Sequence, residues 1–229
     1  MYREDYILRI IREAGEALRR ILGLREAGDC AAAQLHIDRA YSGLLGLSSA
    51  VAGKMHSADL LRLLSFAGKA DGERVKVLAQ LLKVEGDVRA LQGRTEESRD
   101  RYLKALDLLL EIGGCAEEDP REFVGIDAMV EQLEVGGRAT LWLCIPAATW
   151  HRLFSYYETS GRYGRAEDLL FAAVEAGVDD GEIIDCGTAF YQRLGDKDDA
   201  ELAAGNLTRD ELAEGQAELA SLRQKIWDR

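Results

Sequence analysis

Residues 84–110, VEGDVRALQGRTEESRDRYLKALDLLL, contain the pattern that decides the fold of this chain. Apolar residues recur every three or four positions on both sides of Gly93, which predicts two helices joined in a hairpin. Gly93 suits the end of the first helix, and Thr95 suits the N-cap of the second. Gly161 lies 68 residues after Gly93, and Gly195 lies another 34 residues on, each between two helical patterns. A period of about 34 residues is typical of stacked helical hairpins.

The remaining sequence also has helical spacing, interrupted by glycines and capping residues. Helices are predicted over about 5–25, 30–45, 58–66, 73–91, 95–113, 120–135, 146–157, 165–176, 182–194, 197–204 and 208–227. Ser57 is expected to cap the helix at 58–66, and Thr208 with Glu211 is expected to form a capping box. Residues 138–145 fit either a helix or an extended segment, and the sequence leaves the structure of 114–145 open. Because no strand is predicted, the expected fold class is all-α.

Two windows carry matching small, turn and aromatic residues. The first contains Gly86, Gly93, Ser98, Tyr102 and Ala105, and the second contains Trp150, Leu153, Tyr157, Gly161, Ala166, Leu170 and Ala173. Weaker copies contain Tyr191, Gly195, Ala200 and Ala204, and, further upstream, Gly28, Ala33, Ile37 and Ala40. The pattern resembles the tetratricopeptide repeat, in which small residues let paired helices approach and large ones fill the space between pairs. This resemblance covers about half of the chain well.

The resemblance implies an irregular tetratricopeptide-like helical-hairpin repeat, a right-handed α-solenoid, forming a single domain over residues 1–229. Better-defined hairpins are expected at about 73–113, 146–177 and 180–205, with a C-terminal capping helix at 208–228. Irregularity is expected because Arg89, Leu110 and Asp127 depart from the repeat pattern. The whole chain also resembles a bacterial family of tetratricopeptide-like proteins of unknown function, on stretches that include 5–9, 166–171 and 202–205.

The resemblance further implies a peptide-binding groove lined by the first helix of each hairpin. The candidate groove residues are Lys83, Arg89, Arg152, Tyr156, Gln192 and Arg193. The alternative role of these residues is ordinary solvated helix surface. One subclass of the family holds the C-terminal carboxylate of a partner with lysines and asparagines. Lys83 fits that layout, but Asp87 stands where an asparagine would be needed, which disfavours this use.

Charge and composition narrow the classes of partner. The formal net charge is −12, which disfavours nucleic acid and anionic membranes, since both attract clustered Lys and Arg. The chain has no run of about 18 apolar residues and no signal-peptide pattern, so a cytoplasmic location is expected. The four cysteines form no C-x-x-C pair, which is typical of reduced thiols rather than of zinc or disulfide sites.

No catalytic, cofactor or metal site is predicted. His36, His56 and His151 have no ligand partner three or four residues away, and nucleophile-elbow, Walker and dinucleotide motifs are absent from the sequence. The acidic residues around Asp198 lack the glycine and register of a calcium loop. We expect them to supply favourable charge at a helix N-terminus. The sequence therefore favours a protein without enzymatic activity.

Two helices allow more than one interpretation. The N-terminal helix has more basic than acidic residues and carries an apolar stripe. It either packs against the second helix, which we favour, or docks on a partner or a membrane. The last helix carries leucines near heptad spacing, which suits a capping helix or, alternatively, a homodimer seam. The favoured function is non-catalytic binding of a protein or peptide. The alternatives are a small-molecule-sensing regulatory protein and a structural homodimer.

Overall fold

The computed structural model describes residues 2–66, 69–113, 125–134, 145–175 and 181–227. Its α-helices are α1 (Tyr2–Glu26), α2 (Cys30–Ala40), α3 (Ser49–Lys54), α4 (Ser57–Leu63), α5 (Gly72–Leu91), α6 (Thr95–Gly113), α7 (Ile126–Leu133), α8 (Ala147–Thr159), α9 (Tyr163–Glu175), α10 (Gly181–Gly195), α11 (Asp199–Ala204) and α12 (Arg209–Trp227). A π-helical turn, Tyr41–Leu45, extends α2. The all-α prediction is confirmed, apart from a two-residue antiparallel ladder between β1 (Ser65–Phe66) and β2 (Lys69–Ala70).

The helices form two compact units, which are described separately. The N-terminal unit contains α1 to α7, and the C-terminal unit contains α8 to α12. The prediction of a single domain over 1–229 stays a prediction. The predicted hairpin at 73–113 corresponds to α5 and α6, that at 146–177 to α8 and α9, and that at 180–205 to α10 and α11, while α12 occupies the predicted capping segment.

The N-terminal unit is built around α5. In this unit α1 packs on α2 and on α5, α2 packs on α5, and α5 and α6 form the most extensive helix pair. Ten residues of α5 are buried, namely Val75, Val77, Leu78, Ala79, Leu81, Leu82, Val84, Glu85, Gly86 and Val88. A helix covered on so many sides has little amphipathic pattern of its own, so its place in the centre comes from its neighbours.

Three interhelical turns close in the same way. Gly28, Gly93 and Gly161 have φ angles of 75°, 73° and 72°, a left-handed backbone that favours glycine. After α5, the amide of Gly93 donates to the carbonyl of Ala90 (2.9 Å), and the amide of the next residue donates to the carbonyl of Arg89 (2.9 Å). The equivalent pair of bonds closes the other two turns, which is the Schellman motif. Gly28, out of phase with the sequence period, therefore shares its turn with two of the phased glycines.

The turn after Gly195 is of another type. Gly195 ends α10 without a positive φ, and the left-handed residue nearest to it is Asn206, with a φ of 59°. The amides of Asn206 and Leu207 donate to the carbonyls of Ala203 and Leu202, both at 3.1 Å. The Schellman closure in this part of the chain therefore follows α11, whose short length makes the weaker repeat copy irregular.

The C-terminal unit has an aromatic core. Trp150 of α8 stacks on Phe154, with ring centroids 5.1 Å apart, and Phe154 meets Phe190 of α10 edge-on at 5.2 Å. Tyr157 and Tyr191 are each 1% exposed. Edge-on and stacked aromatic pairs add to the burial of their large apolar surfaces. The aromatic residues that carried the repeat pattern are therefore core residues of this unit.

The helix ends confirm some predicted caps and correct others. Asp198 and Glu201 form a capping box at α11, and the amides of Thr208 and Glu211 form the reciprocal bonds of a second box at α12. The bond from the Thr208 amide, followed by that from its hydroxyl, lowers the pKa of Glu211. Ser57 was expected to cap α4 but is its first helical residue, and His56 is the N-cap.

The sequence pattern also missed α3, which is too short to show a helical period. The predicted start signal at 119–122 and the ambiguous 138–144 lie outside the described residues.

Candidate binding surface of the N-terminal unit

The candidate surface begins on the side of α1 that its own core leaves uncovered. The core side of the helix carries the buried residues Ile10, Ala14 and Ile21. A second apolar line follows spacings of three and four residues, and we call it the α1 stripe: Leu8, Ile11, Gly15, Leu18 and Leu22. Leu8 is 59% exposed and Ile11 is 41% exposed, whereas the other three residues are half-buried. One helix therefore has two apolar faces, and only one of them is buried in the N-terminal unit.

The neighbouring helix α5 presents a largely polar line to solvent. Its more accessible residues recur at similar spacings and are called the α5 face: Lys76, Gln80, Lys83, Asp87 and Leu91. Arg25 continues the spacing of the α1 stripe by three residues, and its Nη1 lies 2.6 Å from Asp87 Oδ2. This ion pair places the C-terminal end of the α1 stripe beside the α5 face. Together the two lines form a surface with an apolar side and a polar side.

Asp87 organises the polar side of this surface. Besides Arg25, it accepts a bond from Lys83 Nζ (3.3 Å) and another from the hydroxyl of Tyr102 on α6 (2.7 Å). Burial and the adjacent Asp87 carboxylate raise the pKa of Tyr102 well above its ordinary value. The residue that departs from the family's asparagine thus has three partners within the fold. Lys83, the predicted groove residue, lies on this surface and is 28% exposed.

A second carboxylate of α5, Glu85, is fully buried beneath this surface. Its Oε1 accepts a bond from Arg89 Nη2 (3.0 Å), and its Oε2 lies 3.1 Å from both the Tyr41 hydroxyl and Arg101 Nε. Burial and Glu85 raise the pKa of Tyr41 well above its ordinary value. Burial acts to lower the pKa of Arg101, but Glu85 and Asp100 outweigh it and raise the value. The arrangement is a buried ion cluster that ties α2, α5 and α6 together.

Arg89, the second predicted groove residue of this unit, belongs mainly to the buried cluster. Its side chain is 12% exposed and also reaches Glu97 at 2.9 Å. Because both of its ion pairs lie within the fold, Arg89 has little charge free for a partner. Its departure from the usual tyrosine of the repeat has a structural counterpart, since the guanidinium neutralises Glu85.

The opposite side of α1 forms a cleft with α2. The cleft has a volume of about 290 Å³ and is lined by Glu13, Glu16, Ala17, Arg20, His36, Arg39, Ala40, Gly43 and Leu44. Its floor is apolar, and charged groups of both signs surround it. Within the described part of the chain, no carboxylate lies within ion-pair distance of Arg20 or Arg39. The volume is at the lower end of the range for small-molecule sites, about 300–1,000 Å³.

The other four predicted groove residues lie in the C-terminal unit. Arg152 is half-buried on α8, Tyr156 is 8% exposed, and Gln192 is exposed on α10. Arg193 Nε and Nη2 donate to the two carboxylate oxygens of Glu158, at 2.6 and 2.9 Å. The bond to Glu158 raises the pKa of Arg193. Two of the six residues therefore belong to one unit and four to the other, and a groove shared by all six stays a prediction.

Sequence reasoning missed Glu85 and the full length of the α1 stripe. A single glutamate among apolar residues suggests a solvated position, and only the meeting of α2, α5 and α6 reveals its partners. The α1 stripe has a signal in the sequence, because its residues follow a second line beside the core-facing line. A stricter separation of the two lines would have found it, although exposure depends on where α2 and α5 pack.

Two kinds of feature are absent from the described residues, a metal-binding cluster and a membrane-spanning helix. Within them, no group of three or more His, Cys, Asp or Glu side chains is arranged to hold a metal ion. The helices described by the structure are each too short or too polar to cross a bilayer. Neither finding bears on whether the protein is an enzyme.

The chain belongs to DUF6483, a family of unknown function, whose family profile matches residues 1–224. No curated protein and no solved structure matches the chain significantly. The predicted resemblance to a family of unknown function is thereby confirmed at the level of the whole chain.

Proposed function

We propose that this protein is a non-catalytic scaffold that binds a protein or peptide segment on the α1 stripe and the α5 face. The observation that carries this proposal is the exposure of Leu8 and Ile11 on a helix whose other apolar face is already buried. A line of exposed apolar side chains beside a polar rim is typical of surfaces that receive an amphipathic segment. The cytoplasmic location expected from the sequence is part of this proposal.

The proposal includes an irregular tetratricopeptide-like arrangement, a right-handed α-solenoid. It is supported by the succession of packed helix pairs α1/α2 and α5/α6 in the N-terminal unit, and by the shared turn chemistry at Gly28 and Gly93. Gly86 also supports it, because a Cβ at this position would lie 2.8 Å from Cε1 of Tyr102. A small residue there lets the paired helices approach, as the repeat pattern requires.

The C-terminal helix is proposed as a cap rather than as a dimer seam. Leu212 and Leu219 of α12 are 5% and 2% exposed, and Leu219 packs where a Cβ at Gly187 of α10 would lie. Side chains already buried within their own unit offer little apolar area to a second copy. The homodimer alternative is tested by light scattering on the full-length protein, for which a monomer mass is expected.

Panning of a random peptide library against the full-length protein tests the function without assuming a ligand. We expect enriched peptides that protect amides of α1 and α5 from hydrogen exchange when they bind. Matched variants are Leu8→Ser with Ile11→Ser, which should abolish binding, and Leu35→Ser, which changes an apolar side chain on α2 that is 51% exposed. The proposal fails if no peptide is enriched, or if protection falls on other helices.

The cleft between α1 and α2 supports a second candidate function, the sensing of a small charged molecule. The specific observation in favour is its apolar floor beside Arg20 and Arg39, neither of which has a carboxylate within ion-pair distance among the described residues. Thermal-shift measurements against charged metabolites test it, because a ligand that binds only the folded state raises Tm. A reproducible shift that Arg39→Gln removes would favour the cleft over the α1 stripe.

A further inference from the structure

We infer that the segment bound by the α1 stripe is an amphipathic helix with acidic flanks. This inference rests on the proposed function and deepens it by stating the chemistry of the partner. It follows from three features of the surface, namely the charge of its rim, its length, and the space at its centre.

The rim of the α1 stripe is positive, although the whole chain carries a net charge of −12. Arg12 and Arg19 flank the stripe, and within the described residues no carboxylate lies within ion-pair distance of either. Toward α5, Arg25 and Lys83 share the single carboxylate of Asp87. Like charges across an interface are costly and opposite charges set partner choice, so this rim selects carboxylates.

Those acidic residues of α1 whose side chains the structure describes do not cancel this charge. Glu13 and Glu16 line the cleft with α2, on a different side of the helix. Glu13 is also paired with Arg9, at 3.9 Å. Glu26 continues the spacing of the stripe by four residues and adds one negative charge at its C-terminal end, which is fewer than the positive charges of Arg12, Arg19 and Arg25. The side of α1 that faces the cleft therefore carries charges of both signs, whereas Arg12 and Arg19 beside the stripe form no ion pair among the described residues.

The length and shape of the stripe fit a helix. From Leu8 to Leu22 the stripe spans about 21 Å, or four helical turns, at about 1.5 Å per residue. Gly15 lies at its centre, and a Cβ built there meets no atom within 4 Å. The stripe thus offers a gap between apolar residues into which a partner side chain fits. A helix that presents apolar residues at i, i+3/i+4 and i+7 matches this spacing.

Two other occupants fit the surface less well. A second copy of α1 would bring Arg12 and Arg19 against the same arginines, and like charges at an interface repel. An anionic membrane would have to accept a chain whose net charge is strongly negative. Both remain outcomes that the experiment below distinguishes.

The test uses the full-length protein and two designed 18-residue peptides, labelled for fluorescence anisotropy. Both carry leucines at helical spacing, and their flanking positions are glutamate in one peptide and lysine in the other. We expect the glutamate peptide to bind at least about tenfold more tightly than the lysine peptide, and the preference to weaken as salt is raised. The double variant Arg12→Glu, Arg19→Glu should reverse the preference between the peptides.

A second variant, Gly15→Gln, tests the shape of the surface without changing its charge or unfolding the protein. Gly15→Gln fills the central gap with a residue of good helix propensity, so it should weaken binding of the glutamate peptide while circular dichroism stays unchanged. Leu35→Ser is the matched control and should leave binding intact. Equal binding of both peptides, binding unaffected by Gly15→Gln, a dimer in light scattering, or sedimentation with anionic phosphatidylserine vesicles would overturn the inference. If library panning yields neutral peptides that protect α1, the proposed function survives and only the acidic partner is excluded.

Discussion

Each unit of this protein contains a tyrosine that donates to a glutamate on a facing helix, but the two pairs have different surroundings. In the N-terminal unit, Tyr41 bonds Glu85 at 3.1 Å, and two arginines complete the site. In the C-terminal unit, Tyr191 bonds Glu167 at 2.6 Å, and the charged neighbours that act on Glu167 are carboxylates. The same pair of residue types therefore sits in a neutralised cluster in one unit and in an acidic environment in the other.

This difference shows that the charged groups around a tyrosine–glutamate pair, rather than the pair itself, decide its electrostatic environment. Burial raises the pKa of Glu167 and outweighs the lowering effect of the Tyr191 bond, and the charges of Glu211, Asp168 and Glu218 raise it further. The carboxylates around Glu167 therefore make it easier to protonate. Each pair also has a glycine against it, Gly53 beside Arg101 and Gly215 beside Tyr191.

The largest loss in the free energy of unfolding is expected from Glu85→Gln. The variant keeps the shape of the side chain but leaves Arg89 and Arg101 without their buried counter-charge. Removal of one partner from a buried ion pair typically costs about 3–5 kcal/mol in the free energy of unfolding. Urea unfolding measures the total loss in the free energy of unfolding, and hydrogen exchange of α5 amides shows whether this loss falls in the N-terminal unit.

Glu167→Gln is the matched control, and it should lower the free energy of unfolding far less at neutral pH. A loss for Glu85→Gln below about 1 kcal/mol would show that the remaining pairs with Asp100 and Glu97 suffice.

An intermediate effect is expected from alanine at the two covering glycines. A Cβ at Gly53 would overlap the guanidinium of Arg101, which Glu85 holds in place, so Gly53→Ala should destabilise by about 1–3 kcal/mol. A Cβ at Gly215 would lie 2.6 Å from Glu167 Oε1 and would overlap the Tyr191 hydroxyl. Because the Tyr191 ring is 1% exposed and has little room to move, Gly215→Ala should also destabilise by about 1–3 kcal/mol. Gly195→Ala is the control, because a Cβ there meets nothing within 4 Å. A loss at either Gly53 or Gly215 no larger than that of Gly195→Ala would contradict the close packing of these glycines.

The smallest expected effect is a pH-dependent difference in Tm between Glu167→Gln and the wild type. Because the pKa of Glu167 is raised in the folded state, the folded protein holds this proton more tightly than the unfolded chain does. Its contribution to stability is therefore full below the ordinary pKa and is lost as pH rises through the raised value. The variant removes this loss, so its Tm relative to wild type should improve as pH is raised above the ordinary glutamate pKa of about 4.3. A Tm difference that stays constant as pH is raised would show that Glu167 has an ordinary pKa.

The helices of this protein were largely predictable because their signals are local. The spacing around Gly93 and the capping box at Thr208 lie within a few residues, and the structure confirms the helices that they predict. Some short elements were not predicted, because they contain too few residues to carry such a local signal. The six residues of α3 are too few to show a period, and Ser57 looked like a cap although His56 holds that position.

The candidate surface was less predictable because it depends on what stays uncovered. Lys83 was expected in a groove lined by the first helix of each hairpin, which stays a prediction, and its side chain is 28% exposed on α5. Arg89 was expected in the same groove, but its guanidinium bonds the buried Glu85. No local pattern records that Tyr41, some 44 residues upstream, and Arg101 meet the same carboxylate.

By itself, the sequence determined the long helices and the turns at Gly28, Gly93 and Gly161. Backbone propensity, capping and periodicity act over one or two turns, so they can be recognised without knowing the fold. Only the tertiary structure decided which line of α1 is buried, which charges are neutralised, and which face is left for a partner. Burial and ion pairing depend on residues brought together from distant parts of the chain, and that information exists only once the helices have packed.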